Sequence, residues 1–182
     1  MVSVSIIVIC QEQHSQLVQL LPQLLSMQYD GEHEVIVVDK SHDKDTGEWL
    51  EEMEKLHPHL CHTFCPASAR CIDIHKLALT LGAKAAAYEW VAILPAETQL
   101  PGDDWLGRLQ TCCNDQTDIV IATKGGTSLW NRLTFNLFRR RFSIFRPTPS
   151  IVLCRRRILL QGDIRIPQNR IFRLPLQQYS KI

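Results

Sequence analysis

Short apolar runs rich in β-branched residues alternate with helical patterns along most of the chain, and this alternation restricts the fold more than any other feature. Residues 3–10 form such a run without a helical period, which predicts a strand covered on both faces. Leucines recur every three or four positions in residues 16–27, which predicts an amphipathic helix. Further strands are predicted at residues 34–38, 62–64, 90–94 and 118–123, and further helices after Asp45-Thr46 and at residues 74–88 and 104–113. The alternation predicts an α/β fold, with a mostly parallel, doubly wound sheet and helices on both faces.

The ends of the predicted strands indicate where a ligand would bind. Sheets of this kind bind their ligands beyond the carboxyl ends of the strands. In this chain those ends fall in residues 9–13, 39–45 and 95–98. We therefore expect the binding residues in these three segments.

The charge of the chain is divided between two parts of opposite sign. The 182 residues carry a formal charge of +1, but residues 1–123 hold 7 Lys and Arg against 18 Asp and Glu, a balance of −11. Residues 124–182 hold 13 Lys and Arg and a single acid, Asp163, a balance of +12. We therefore divide the chain into an acidic α/β part, residues 1–123, and a basic segment, residues 124–182, which completes a single domain.

Part of the basic segment combines aromatic and basic side chains. Residues 129–145 interleave five aromatic residues with four arginines. We favour a basic amphipathic helix that closes the core. Two alternatives stay open: a helix that lies on an anionic membrane surface, and a basic surface that binds the acidic part, within the chain or in a dimer.

Composition disfavours several functional classes. The near-zero net charge and the lack of a recognised binding motif argue against a nucleic-acid binder. No apolar run approaches the roughly 20 residues that a membrane-spanning helix needs. The first residues lack the basic start and cleavage site of a signal peptide. We expect a cytoplasmic protein, with peripheral contact to the inner membrane face as the alternative.

Seven cysteines in such a chain indicate reduced thiols, several of them in the core. One stretch is rich in metal-ligand residue types: His57, His59, Cys61, His62 and Cys65, followed by Cys71. Structural zinc sites come as two closely spaced pairs separated by a loop, whereas these residues crowd into one stretch. We do not expect a zinc site here.

Four segments together resemble the family 2 glycosyltransferases, which have the GT-A fold. They read VSVSIIVIC, EVIVVDKSHDKDT, HKLALTLGAKAAAYEWVAILPAET and PGDDWLGRL, in the order and spacing of that family. The resemblance is nearest to bacterial members. It covers residues 2–110 well and residues 118–160 loosely, and it depends on the segments in combination.

The resemblance implies a nucleotide sugar, most often of the UDP type, as the substrate. It makes Asp39, at the end of the second strand, a nucleotide contact, and it makes Lys40 and Lys76 candidate contacts of the diphosphate. The family holds Mg²⁺ or Mn²⁺ on an Asp-x-Asp motif, because a hard cation stabilises the charge that grows on the leaving diphosphate. Glu97 is the candidate metal ligand in the corresponding segment.

The chain departs from the family pattern at the positions that carry its chemistry. Lys40 stands where a second acid is expected, and the Asp-x-Asp position reads Pro95-Ala96-Glu97. No acid after residue 123 matches the family's catalytic base, and Asp163 lies in a different context. Two hypotheses follow: a glycosyltransferase with impaired or lost catalysis, which needs a divalent metal if it is active, or a non-catalytic binding or scaffold module that acts with a partner, for example at a membrane surface.

Overall fold

Strands and helices alternate up to residue 124 in the computed structural model, which describes residues 1–66, 73–124, 151–161 and 167–176. The strands are β1 (Val4–Cys10), β2 (His33–Asp39), β3 (Leu60–Phe64), β4 (Trp90–Pro95), β5 (Ile119–Lys124), β6 (Ile151–Arg155) and β7 (Ile171–Leu176). The helices are α1 (His14–Leu25), α2 (Lys44–Leu56), α3 (Ile74–Ala85), α4 (Trp105–Gln110) and α5 (Arg156–Leu160), with one 3₁₀ turn at Gln168–Arg170. None of the described helices is long and apolar enough to span a membrane.

The seven strands form one sheet in the order β3-β2-β1-β4-β6-β5-β7. β1 pairs in parallel with β2 and β4, β2 with β3, and β5 with β7. Among the strands of the described ranges, only β6 runs antiparallel to its neighbours, β4 and β5. The predicted α/β fold with a mostly parallel sheet is confirmed.

The sheet is covered by an apolar layer on each face, as the doubly wound prediction requires. On one face, side chains such as Val8 pack with Leu17 of α1 and Leu50 of α2. On the other face, side chains such as Ile7 pack with Leu79 of α3, together with residues of α5. Successive strand residues point to opposite faces, so every central position is buried and the strands read as continuous apolar runs.

α3 lies very close to β1 because a glycine stands at the contact. A β-carbon built on Gly82 would lie 2.8 Å from Cγ2 and 2.9 Å from Cδ1 of Ile7, which is fully buried. Real β-carbons do not approach other atoms so closely. The glycine therefore sets the distance between helix and sheet and, with it, the position of the first turn of α3.

Two helix boundaries differ from the sequence-based expectation because of side-chain hydrogen bonds. α2 begins at Lys44, two or three residues before the start that a cap at Asp45-Thr46 would give, since the Asp43 carboxylate accepts from the Thr46 amide at 3.0 Å and from its hydroxyl at 2.6 Å. α3 ends at Ala85 rather than at residue 88, because the Ala87 amide donates to Glu34 Oε1 at 2.7 Å.

Three arginines converge on one buried aspartate at the amino end of β5. The carboxylate of Asp118 accepts from Arg157 Nη2 at 2.8 Å and from Arg170 Nε at 2.6 Å, and it lies 3.4 Å from Arg155 Nε. Arg155 also stacks over the Trp90 ring at 4.8 Å and pairs with the Glu89 carboxylate. This cluster joins β4, β5, β6, α5 and the start of β7.

The later strands were not predicted, and their placement bears on the division of the chain. β6 and β7 belong to the same sheet as β1–β5, so residues from both sides of position 124 share one architecture. The division into residues 1–123 and 124–182 stays a prediction. The aromatic and basic stretch, residues 129–145, lies outside the described residues, as do Cys71 and Asp163.

Candidate functional site

The carboxyl ends of β1, β2 and β4 meet at one edge of the sheet. In the register of the parallel pairs Cys10 lies opposite Asp39, and Ile9 lies opposite Pro95. The pairing continues past the strand ends, because the Lys40 amide donates to the Cys10 carbonyl at 2.8 Å. The three segments that the sequence singled out therefore lie side by side at this edge.

Asp39 ends β2 as a buried carboxylate, with only 5% of the residue exposed. Its Oδ1 accepts from the Ser41 amide at 2.8 Å and from the Ser41 hydroxyl at 2.7 Å. The Ser41 hydroxyl oxygen in turn accepts from the Asp43 amide at 3.1 Å. This local turn fixes the direction of the carboxylate, and it commits one of its oxygens to the chain itself.

Lys40 extends to the opposite face of the sheet from Asp39. Val37 packs in the layer with α1 and α2, whereas Val38 packs in the layer with α3, so the alternation places Lys40 on the α3 side. Its ammonium donates to Gln11 Oε1 at 3.1 Å. Burial, and after it the positive charge of Lys40, lowers the pKa of His75 in the first turn of α3. The lysine therefore lies between the β1–α1 loop and α3.

Lys76 lies at the start of α3, where the helix is capped by an aspartate. The Asp73 carboxylate accepts from the backbone amides of His75 at 3.0 Å and Lys76 at 3.2 Å. The Lys76 side chain is exposed. Because α3 follows β3, this turn lies at the same edge of the sheet as the ends of β1, β2 and β4.

Glu97 lies in the turn that follows β4. The turn closes through a hydrogen bond from the Thr98 amide to the Pro95 carbonyl at 3.0 Å, and it leaves Glu97 exposed. Burial, and to a smaller extent the charges of Asp39 and Glu97, raises the pKa of the Cys10 thiol to about 11. Both carboxylates therefore act on the thiol at the end of β1, which lies between them.

The structure brings the four predicted site residues to one edge and divides them between its two sides. Asp39 lies on the side of the sheet that packs against α1 and α2. Lys40 and Lys76 lie on the α3 side, and Glu97 lies in the turn after β4. Their roles toward a ligand stay predictions.

Solved glycosyltransferases share this architecture. The mannosyltransferase of Pyrobaculum calidifontis, solved with GDP-Man and Mn²⁺, superposes with a TM-score of 0.66 at 20% identity, over 96% of this chain and 55% of that one. TarS of S. aureus gives 0.63 at 16% identity, over 94% of this chain and 58% of that one. Glucosyl-3-phosphoglycerate synthase of M. tuberculosis gives 0.64 at 13% identity, over 100% and 73%. The chain has the GT-A fold.

The similarity to these solved structures concerns the fold and not the activity. At identities of 13–20% they establish the GT-A fold alone, and this chain spans only 55–58% of the first two neighbours. No protein-family model matches the sequence. No curated protein matches it either. The expected GT-A architecture is confirmed, and membership of family 2 and bacterial origin stay proposals.

The residues at the GT-A edge do not form a set that fits a divalent cation. Within the described ranges no three His, Cys, Asp or Glu side chains lie together as a metal site. Pro95 offers no side-chain ligand, and one oxygen of Asp39 already accepts two hydrogen bonds from Ser41. Cys10 offers a soft sulfur donor, which Mg²⁺ and Mn²⁺ disfavour relative to oxygen. Glu97 remains as a single exposed carboxylate, whereas Mg²⁺ and Mn²⁺ need several oxygen ligands.

Several residues of this edge escaped the sequence analysis. Cys10 appeared only as the last residue of an apolar run, and its place between two carboxylates follows from strand register. Ser41 carried a local signal, since serine two residues after aspartate is typical of an Asx turn. His75 carried no signal in the sequence, and the structure shows it half-buried, with its Nε2 atom shielded from solvent.

Proposed function

We propose that this chain is a bacterial relative of the family 2 glycosyltransferases and that it binds a nucleotide sugar of the UDP type. We propose further that its catalysis is impaired or lost. The observation that carries the proposal is the set of side chains at the carboxyl edge of the sheet. It keeps the buried Asp39 carboxylate at the end of β2, but it has proline and one exposed glutamate at the end of β4.

The nucleotide part of the proposal is supported by fold and by position. Ligands of doubly wound sheets bind at the carboxyl edge. At this edge Asp39 lies on the α1 and α2 side, and Lys40 and the first turn of α3 lie on the other side. Solved neighbours with the same fold carry GDP-Man in one structure and UDP in another. Asp39 would accept hydrogen bonds from the nucleoside through the oxygen that Ser41 leaves open, and Lys40 and Lys76 would face the diphosphate.

The loss of catalysis is supported by the missing carboxylates. Transfer from a nucleotide sugar needs a group that stabilises the leaving diphosphate and a base that deprotonates the acceptor hydroxyl. Pro95 and Lys40 stand where acids are expected, and Asp163 is the single acid in residues 124–182. If the chain retains activity, a divalent metal, Mg²⁺ or Mn²⁺, would have to bind largely through the substrate phosphates and Glu97.

A second function is favoured by the division of charge. The sequence carries a balance of −11 before residue 124 and +12 after it. A non-catalytic scaffold that docks on a protein partner, or on the anionic inner face of a membrane, would use the basic segment in this way. Liposome flotation with and without anionic lipid tests this alternative, since binding that salt abolishes supports it and no binding opposes it.

Calorimetric titration with UDP, UDP-sugars, GDP and GDP-mannose tests the main proposal. We expect micromolar binding of at least one nucleotide by the full chain, and weaker binding by Asp39→Asn, which keeps the size of the side chain but removes its charge. Asp103→Asn, a change at an exposed acid before α4, is the matched control and should bind as the wild type does. If none of the nucleotides produces heat, the proposal is wrong.

A further inference from the structure

We propose that this site binds its nucleoside diphosphate without a divalent cation and that the Lys40 ammonium supplies the positive charge toward the phosphates. This inference rests on the proposed function, since it concerns the same site. Its basis is the disagreement between the fold, whose solved neighbours include complexes with Mn²⁺, and the donor set at the sheet edge, which does not fit such a cation.

The carboxyl edge of the sheet carries more positive charge than the family pattern implies, and positive charge favours a phosphate ligand. The family pattern implies acids at positions 40 and 95, and this chain has a lysine and a proline there. The two changes make the edge three charge units more positive than that pattern, whereas a bound Mg²⁺ or Mn²⁺ would add two. The electrostatic reason for recruiting a cation, which is to offset repulsion between carboxylates and phosphates, is therefore much reduced.

The surroundings of Lys40 leave its charge available to a ligand. Its backbone amide is fixed on the Cys10 carbonyl at 2.8 Å, and its ammonium contacts a neutral group, Gln11 Oε1, at 3.1 Å. In the part of the chain that the structure describes, no carboxylate lies within ion-pair distance of this ammonium. A hydrogen bond to a neutral amide holds the lysine in place without neutralising it.

The charge of Lys40 also acts on its surroundings on the α3 side of the sheet. Burial lowers the pKa of His75, and the Lys40 charge lowers it further, while the Asp73 charge opposes the change. Burial raises the pKa of Cys65, and the Lys40 charge opposes that rise. The Lys40 charge thus acts on a residue at the end of β3 and on one in the first turn of α3. The Asp73 carboxylate already caps the amino end of that helix, so the positive charge that we assign to the site is that of Lys40.

The test compares UDP binding by the full chain with Mn²⁺ and with EDTA. We expect dissociation constants that agree within about threefold under the two conditions, and a decrease in affinity as the NaCl concentration rises. Lys40→Ala should weaken binding by about tenfold under both conditions, and Lys40→Arg, which keeps the charge, should restore most of it. Lys44→Ala is the matched control, because Lys44 is exposed and pairs with Glu48 in the helix that follows. Thermal melts of each variant verify that the fold is intact.

The possible results distinguish a failure of the proposed function from a failure of the metal-free inference. Binding that appears only with Mn²⁺ overturns the inference and leaves the proposed function standing. Equal affinity of wild type and Lys40→Ala in EDTA overturns the role of Lys40. The absence of UDP binding under both conditions, together with the absence of binding by the other nucleotides, refutes the proposed function, and the inference with it.

Discussion

Replacing Asp118 should cost more stability than replacing any exposed acid, because three arginine side chains depend on its carboxylate. The Asp118 side chain is 10% exposed, and it receives charge-assisted hydrogen bonds at 2.6 Å from Arg170 and 2.8 Å from Arg157. Buried bonds of this kind contribute about 1.5–3 kcal/mol each, but Arg157 is 54% exposed and counts as a surface pair of less than about 1 kcal/mol. Arg155, whose side chain is 11% exposed, would also lose a partner.

These contributions give an expected loss of about 3–5 kcal/mol in the free energy of unfolding for Asp118→Ala, and roughly half of that for Asp118→Asn, which keeps an acceptor. Urea denaturation followed by tryptophan fluorescence measures the loss, since Trp90 lies under the Arg155 guanidinium. Asp115→Asn is the control, because Asp115 is fully exposed at 3.9 Å from Arg155 and should leave stability unchanged. If Asp118→Ala loses less than about 1 kcal/mol, the arginine cluster does not stabilise the fold and the reasoning is wrong.

Three further predictions concern other parts of the molecule. Burial raises the pKa of Asp118, but its hydrogen bonds to Arg170 and Arg157 outweigh this effect and lower the pKa. The contribution of Asp118 to stability should therefore be complete above about pH 4 and disappear as the pH falls through the lowered pKa. A series of urea melts at different pH should show this loss for the wild type and not for Asp118→Asn. Gly82→Ala should lower stability by about 1–2 kcal/mol in thermal or urea melts because the new methyl group meets Ile7, whereas Gly107→Ala, with nothing within 4 Å, should not. Cys10, which is buried and has a pKa raised to about 11, should resist alkylation at pH 8 until urea unfolds the chain, and peptide mapping that finds it labelled in the native protein would contradict this.

The first five strands could be predicted because their signal is local. β1, β2 and β4 are buried on both faces, so each appears in the sequence as a continuous apolar run, and α1 between the first two carries a regular leucine stripe. Helix ends were less certain, since the end of α3 depends on Glu34, a residue 53 positions away from Ala87. Contacts of that separation leave no pattern in a window of ten residues.

β6 and α5 escaped prediction because their burial depends on partners far along the chain. Arg155 to Arg157 is a run of charge that normally indicates exposure, yet Arg155 is buried against Glu89 and Asp118. A sequence pattern does not show that a guanidinium will be neutralised by two acids from other elements. The antiparallel direction of β6 is equally non-local, because it follows from pairing with β4 and β5 at once.

The candidate site was predictable in place but not in detail. Strand ends located Asp39, Lys40 and Glu97, since the carboxyl edge of a parallel sheet follows from the strand pattern alone. The Ser41 hydrogen bonds that commit one oxygen of Asp39, and the separation of Asp39 from Lys40 by the sheet, required coordinates. The poor fit to a cation, in contrast, was already visible in the sequence, because Pro95 offers no ligand and Glu97 is the single acid of its turn.

The position of β6 has a consequence for the order in which the molecule assembles. β4 and β5 are consecutive strands, but they pair with β6 on either side of it and not with each other. A nascent chain that has emerged only to residue 124 therefore carries an open apolar edge on β4, of the kind that recruits foreign strands. The sheet closes only after Ile151–Arg155 has been synthesised and has inserted between strands made earlier. Fragments that stop short of this strand should aggregate, and refolding should be limited by this late, long-range insertion.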